Sequence, residues 1–122
     1  MARPAETLKR DWLDALKHER RMSPHTLAAY ERDVTTFLGF LVNHKGGAPN
    51  ERSLAKLTPA DIRAFLSDRR AEGIAPRSLR RTLSAVRSFF RFLTREGILE
   101  NPAPRTVRGP RVPKSLPRPL SV

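Results

Sequence analysis

Apolar residues recur at helical spacing in four stretches of the chain, at 6–20, 24–43, 59–72 and 76–95. Within each stretch the spacings of three and four place these residues on one face of a helix. The expected core positions are Leu8, Trp12, Ala15, Leu16, Leu27, Tyr30, Val34, Phe37, Leu38, Leu41, Ile62, Phe65, Leu66, Leu79, Leu83, Val86, Phe90 and Leu93. The pattern therefore predicts an all-α domain built from four helices.

Residues with known preferences for helix ends bound these stretches. Ser23-Pro24 and Thr58-Pro59 each combine a capping hydroxyl with a proline at the first helical position. Gly46, Gly73 and Gly97 follow the ends of three stretches, where a left-handed residue is needed. The segment between the second and third helices, 46–53, is predicted as a flexible loop.

The chain after Asn101-Pro102 is rich in proline and in basic residues and contains no acid. Such a segment cannot continue a helix and has little apolar surface to bury. We therefore predict a domain over 1–104 and an extended basic linker over 105–122. We also expect the natural protein to continue past Val122 into a further domain.

The charge of the chain is strongly positive and unevenly distributed. Its 24 Lys and Arg against 12 Asp and Glu give a formal charge of +12. Residues 74–122 contain eleven bases and two acids, which gives a formal charge of +9. The first 73 residues therefore carry a formal charge of only +3. This asymmetry favours nucleic acid as the partner, and it favours an anionic membrane to a lesser degree. A surface that merely keeps the protein soluble is the alternative.

The helix predicted over 76–95 concentrates this charge, with six arginines and no acid. On a helical projection the arginines fall within an arc of about 120° that also contains Ser84 and Ser88. They are Arg77, Arg80, Arg81, Arg87, Arg91 and Arg95. Like charges along one face repel each other, and no acid of the helix offsets them. This face therefore indicates a polyanionic partner.

The first turns of this helix are the expected point of contact. Arginine pairs bidentately with guanine or with phosphate, and the major groove, about 12 Å wide, admits a helix. Recognition helices contact DNA mainly through their first turns, which here hold Arg77, Arg80 and Arg81. Ala75 is a weak cap, so the first N–H groups are left for a phosphate or for water.

Arg87 lies at the edge of the arginine arc, closest to the apolar face. Two partners remain open for it. One is DNA, and the other is a carboxylate such as Asp33 or Asp61.

No catalytic, metal or cofactor site is predicted. The chain has no cysteine, no glycine-rich phosphate loop and no apolar run long enough to span a bilayer. The histidines, at positions 18, 25 and 44, lack metal-ligand spacing and a carboxylate partner pattern. Trp12 and Tyr30 lie in apolar stripes and are interpreted as core residues, not as a base-stacking platform and a nucleophile. With no signal peptide visible, we expect the cytoplasm as the location.

A weak internal repeat relates residues 23–41 to 75–93. The identical pairs are Pro24 and Pro76, Leu27 and Leu79, Val34 and Val86, Phe37 and Phe89, Phe40 and Phe92, and Leu41 and Leu93. Either two amphipathic helices share a pattern by coincidence, or two helix pairs are related by approximate symmetry. In the second case the starts of helices two and four would face the same partner.

Three groups of residues resemble one protein family. Ser23, Thr26, Tyr30, Asp33, Val34 and Phe37 are spaced as in the N-terminal, core-binding domain of XerC/XerD-type tyrosine recombinases. The stretch 81–93 resembles the last long helix of that domain. Asn101-Pro102-Ala103 and the later Pro113-Lys114 resemble the exit into its interdomain linker.

The resemblance implies a SAM-like four-helix bundle of two helical hairpins that forms half of a clamp around double-stranded DNA. Helices two and four would approach the major groove. The implied DNA-binding residues are Ser23, His25, Thr26, Arg77, Ser78, Arg80, Arg81, Ser84 and Lys114, to which the arginine face adds Arg91. The implied further partners are the missing catalytic domain and other protomers in a recombinase tetramer. Since no catalytic motif of that family is present, this chain is expected to bind DNA and not to cut it.

One other class of function remains open. A helical protein-interaction module could use the same arginine face to dock an acidic partner. A free-standing transcriptional regulator fits less well, because compact helix-turn-helix spacing is absent.

Overall fold

The computed structural model describes residues 2–19 and 21–111. Within this part of the chain there are six helices and no strand, which confirms the all-α prediction. They are α1 (Ala5–Glu19), α2 (Pro24–Lys45), α3 (Glu51–Ala55), α4 (Pro59–Ala71), α5 (Pro76–Arg95) and α6 (Ala103–Thr106). The four long helices are those expected from the apolar pattern, and α5 has the predicted bounds.

The predicted capping residues begin and end these helices as expected. The Ser23 hydroxyl accepts the N–H of Thr26 at 3.2 Å at the start of α2. Thr58 and Asp61 form a reciprocal capping box at the start of α4. Gly46 ends α2 with φ of +80°, a conformation that side chains with a Cβ rarely adopt.

Helix α5 is the central element of the core and packs against α1, α2, α4 and α6. All of its expected core positions are buried. At its middle, the Trp12 ring stacks on Tyr30 and meets Phe89 edge to face, with centroids 6.3 and 5.4 Å apart. The Trp12 Nε1–H donates to Ser88 Oγ at 3.1 Å. Trp12 is thus a core residue, as predicted, and Ser88 faces the core and not the charged surface.

Five of the six identical pairs of the internal repeat have similar burial; the exception is Leu27, which is half-buried, whereas Leu79 is fully buried. Val34 and Val86 are both fully buried, as are Phe37 and Phe89. Phe40 and Phe92 are both half-buried at the core margin. The repeat therefore corresponds to a shared packing pattern of α2 and α5. Whether both helix starts face one partner stays a prediction.

The prediction of a flexible loop over 46–53 is wrong for its second half. Asn50 caps the short helix α3 by accepting the N–H groups of Arg52 and Ser53 at 2.9 and 3.0 Å. The backbone around Asn50 also pairs with the N-terminal segment, since Ala5 donates to Pro49 at 3.0 Å. A helix of five residues is too short to show apolar periodicity, and therefore its capping residue was the only signal.

The chain stays folded onto the domain beyond residue 104, where the sequence predicts that the linker begins. Ala103–Thr106 is a helical turn, and Val107 is only 2% exposed. Buried Asn101 donates through Nδ2 to the carbonyls of Leu54 and Leu57 at 2.9 and 3.0 Å. Its Oδ1 accepts the N–H of Ala103 at 2.9 Å. The predicted linker beyond residue 111 lies outside the described residues.

Asp61 shows how the ends of α2 and α4 are held together. Its carboxylate accepts the Thr58 N–H at 2.9 Å and contacts His44 Nε2 at 2.9 Å and Lys45 Nζ at 3.2 Å. Burial by itself would raise the pKa of Asp61, but these hydrogen bonds outweigh it and lower the pKa to about 2. His44 therefore has a carboxylate partner in space, 17 residues away in sequence, that its sequence context did not reveal.

We expect Asp61→Asn to destabilise the domain by about 2 kcal/mol at pH 7, because the pKa of Asp61 falls from an ordinary 3.8 to about 2 on folding. A lowered folded-state pKa stabilises the protein above pH 4, and this contribution is lost as the pH falls towards 2. Urea unfolding at pH 7 and at pH 2 measures the difference. Asp68→Asn, at an exposed position of the same helix, is the matched control. An equal loss at both pH values would contradict this account.

Candidate nucleic-acid interface

The part of the arginine face that is exposed and has no ion pair among the described residues is narrower than predicted, and it consists of Arg77, Arg80, Ser84 and Arg91. We call these four residues the basic strip. All four are exposed, and on a helical projection they lie within an arc of about 60°. Among the described residues, no ion pair involves the three arginines of the strip. The strip is therefore a row of cations whose charge no nearby carboxylate offsets.

Arg81, predicted to contact DNA, is instead paired with a buried carboxylate. Its Nε and Nη2 donate to the two oxygens of Asp33 on α2, each at 2.9 Å. The Thr82 hydroxyl also donates to Asp33, at 3.0 Å. The hydrogen bonds to Asp33 raise the pKa of Arg81 above its usual value, against the effect of partial burial. This bidentate pair joins α2 to α5 and gives Arg81 a structural role, while its contact with DNA stays a prediction.

Arg87 is not paired with Asp33 or Asp61, the carboxylates that the sequence left open for it, and donates to backbone carbonyls instead. It is half-buried, and its Nε donates to the carbonyl of Pro104 at 2.9 Å. Its Nη2 donates to the carbonyl of Val107. Arg87 therefore connects α5 to both ends of α6 and is not part of the exposed strip.

Arg95 is the second arginine of the predicted face, after Arg81, with carboxylates close by. It contacts Glu19 of α1 at 3.1 Å and Glu96 at 3.6 Å, and its guanidinium lies 5.6 Å from the Phe92 ring centroid. The six arginines of the predicted face therefore do not form one row of unpaired charges. Carboxylates outside α5 offset the charges of Arg81 and Arg95. Of the exposed arginines on this face, only those of the basic strip have no ion pair among the described residues.

The starts of α2 and α5 present similar groups. Ser23 and His25 are exposed and Thr26 is half-buried, with the Ser23 hydroxyl 3.0 Å from the Thr26 hydroxyl. The repeat pairs His25 with Arg77, and Thr26 with half-buried Ser78. Each helix thus places a proline, a basic or titratable residue and a hydroxyl residue in its first turn.

Helix α5 differs from α2 in having no side chain that caps its start. Ala75 provides no oxygen, so the N–H groups of Arg77 and Ser78 have no side-chain acceptor from the capping residue. These N–H groups and the positive end of the helix dipole favour an anion at this point. The prediction of a weak cap at Ala75 is confirmed.

The chain beyond α6 returns along α5 and brings further arginines close to the basic strip. A Cβ placed on Gly109 would lie 3.4 Å from Leu83 Cδ2 and 3.7 Å from Arg80 Cγ. Arg105 on α6 and Arg91 line the same groove, next to Arg87. Arg105, Arg108 and Arg111 are exposed. The sequence had assigned these three arginines to a linker; the buried Asn101 was the signal that the chain stays folded there.

Other kinds of site find little support in the described part of the chain. No group of three or more His, Asp or Glu side chains there converges as a metal site would require. None of its helices combines the length and hydropathy needed to cross a membrane. Lys114, predicted to contact DNA, lies outside the described residues.

Comparison with known proteins gives a consistent result. Residues 10–97 match the family model of the phage integrase N-terminal SAM-like domain. The chain is 47% identical over 116 residues to the tyrosine recombinase XerC of Mesorhizobium japonicum, covering 95% of this chain and 37% of that protein. It is 50% identical over 111 residues to XerC of Methylobacterium nodulans, a match that covers 91% of this chain and 34% of that protein. XerC of Brucella suis is 44% identical over 113 residues, a match that covers 93% of this chain and 36% of that protein.

The chain thus spans about a third of the length of these curated relatives. No solved structure matches it. The matched residues include α2, α4 and α5 in full, and therefore also the basic strip and the Arg81–Asp33 pair.

Proposed function

Because the chain belongs to the phage integrase N-terminal SAM-like domain family, we propose that it is the DNA-binding module of a site-specific tyrosine recombinase. In this role it grips one half-site of a duplex through α2 and α5. The observation that carries the proposal is the basic strip, a row of exposed arginines without ion-pair partners among the described residues, on a helix whose opposite face is buried in the core.

The residues of the interface follow from this strip and from the two helix starts. On α5 the contacts come from Arg77, Ser78, Arg80, Ser84 and Arg91. On α2 they come from Ser23, His25 and Thr26. Lys114 remains in the proposal on its sequence position alone. We leave Arg81 out of it because two of its guanidinium nitrogens, Nε and Nη2, are bonded to Asp33.

The chemistry of strand exchange belongs, in this proposal, to the part of the protein that the chain does not include. The relatives named tyrosine recombinase XerC are about three times as long as the matched region. We therefore place the catalytic arginine, histidine and tyrosine groups in a second domain that follows this one. That domain, other protomers in a tetramer, and the duplex are the proposed partners, and the cytoplasm is the proposed location.

A competition experiment separates this function from docking of an acidic protein. A fluorescein-labelled duplex of about 30 base pairs is bound to the domain at low salt, and unlabelled competitors are added at equal total charge. We expect unrelated duplex DNA to displace the probe at least 10-fold more effectively than poly-glutamate, because backbone contacts are independent of sequence and phosphates suit the fork of arginine. Equal displacement by poly-glutamate would favour the acidic-partner function.

A further inference from the structure

Arg87 differs from its neighbours on α5 in what its guanidinium binds. Ser84 and Arg91, one turn away on either side, are exposed, whereas Arg87 is half-buried. It donates to the Pro104 and Val107 carbonyls, at the two ends of α6. Hydrogen bonds from a charged donor are about twice as strong as neutral ones, and the fork of arginine fixes geometry as well as distance. Arg87 is therefore an anchor for the segment that leaves the domain.

Two further contacts hold this exit segment, which we define as residues 101–111. Asn101 is buried and bonded to the carbonyls of Leu54 and Leu57, before α6. After α6, Gly109 lies against Leu83 and Arg80. The chain passes Arg87 at Val107 and reaches Leu83 at Gly109, so it runs back along α5 towards the first turns of that helix.

Arg108 and Arg111 are close in sequence to Gly109, which lies against Arg80 of the basic strip. Both are exposed, and no ion pair of the described residues involves either of them. A flexible segment would have to be ordered when it binds DNA, at a cost in conformational entropy for each residue. A segment that is already anchored avoids most of that cost.

We propose that Arg87 is a positioning residue, which locks the exit segment onto α5 so that Arg108 and Arg111 face the same DNA backbone as the basic strip. The DNA-facing half of this inference rests on the proposed function. The anchoring of the exit segment by Arg87 does not rest on the proposed function, and separate experiments measure the anchoring and the contact with DNA.

The first measurement uses the domain without DNA. Backbone ¹⁵N relaxation is compared for the wild type, Arg87→Met and Arg91→Met. Arg91 is the control because it lies one turn further on the same helix and has no ion-pair partner in the described part of the chain. Order parameters for residues 105–109 are expected to fall from about 0.85 to below about 0.6 in Arg87→Met only. Arg87→Lys keeps the charge but cannot span both carbonyls, so it is expected to loosen the segment too. A rigid segment in Arg87→Met would overturn the anchor.

The second measurement is a double-mutant cycle in DNA affinity. Replacing Arg108 and Arg111 by alanine is expected to weaken binding about 10-fold in the wild type, but less than about 3-fold in Arg87→Met, whose loose segment already contributes little. The same loss in both backgrounds would overturn the positioning role. A wild type that binds no duplex would refute the proposed function and the DNA-facing half, while the relaxation result would still decide the anchor.

Discussion

Replacing Arg77, Arg80 and Arg91 together by alanine is expected to weaken duplex binding by about 100-fold at 0.1 M salt. Each of these side chains is exposed and free of a carboxylate partner among the described residues. Each can therefore meet a phosphate without first breaking an ion pair. A loss of about 0.9 kcal/mol for each contact, a value in the range of an ordinary solvent-exchanged hydrogen bond, corresponds over three contacts to this factor. Fluorescence anisotropy with a labelled duplex of 30 base pairs measures it.

The control for this triple variant must remove the same charge elsewhere. Arg10, Lys17 and Arg63 are exposed bases on α1 and α4, and none belongs to an ion pair of the described residues. Both triple variants lower the formal net charge from +12 to +9. We expect the control to lose less than about 5-fold in affinity. Equal losses in the two variants would show that net charge, and not the basic strip, governs binding.

Arg81→Ala is expected to act on stability, with a loss of about 2–3 kcal/mol. Without Arg81, the Asp33 carboxylate, whose side chain is 7% exposed, keeps only the hydroxyl of Thr82 as a partner. Breaking a fully buried pair costs about 3–5 kcal/mol. We expect less here, because the Arg81 side chain is 41% exposed and water screens the pair.

Thermal unfolding measures this loss, and the expected decrease in Tm is about 10 °C for a domain of this size. Asp33→Asn combined with Arg81→Ala should cost less than the sum of the single changes, because the double variant buries no unpaired charge. Below its Tm, Arg81→Ala should bind duplex DNA within about 3-fold of the wild type. An unchanged Tm with a large loss of DNA affinity would return Arg81 to the interface.

The main helices could be predicted from the sequence because their determinants are local. Apolar spacing sets which face of a helix is buried, and capping residues such as Ser23 and Thr58 set where it begins. The central position of α5 also follows from its many apolar residues. The short helices α3 and α6 were missed because four or five residues cannot show a period.

The division of the arginines into structural and exposed residues could not be predicted in the same way. Arg80 and Arg81 are adjacent and chemically identical, yet only Arg81 reaches Asp33, which lies 48 residues earlier in the chain. Arg87 was expected to meet DNA or a carboxylate and instead binds carbonyls of a helix that the sequence did not predict. Such pairings depend on the packing of distant elements, which periodicity does not describe.

The salt dependence of DNA affinity tests the role of the basic strip most directly. The affinities of the wild type and of the Arg77/Arg80/Arg91 triple alanine variant are compared from about 0.05 to about 0.2 M salt. Each arginine that neutralises a phosphate adds about 0.9 to the slope of log affinity against log salt. We predict that the slope of the triple variant is shallower by about 2.7. A slope equal to that of the wild type would mean that these arginines do not lie on the DNA backbone, and would contradict the account.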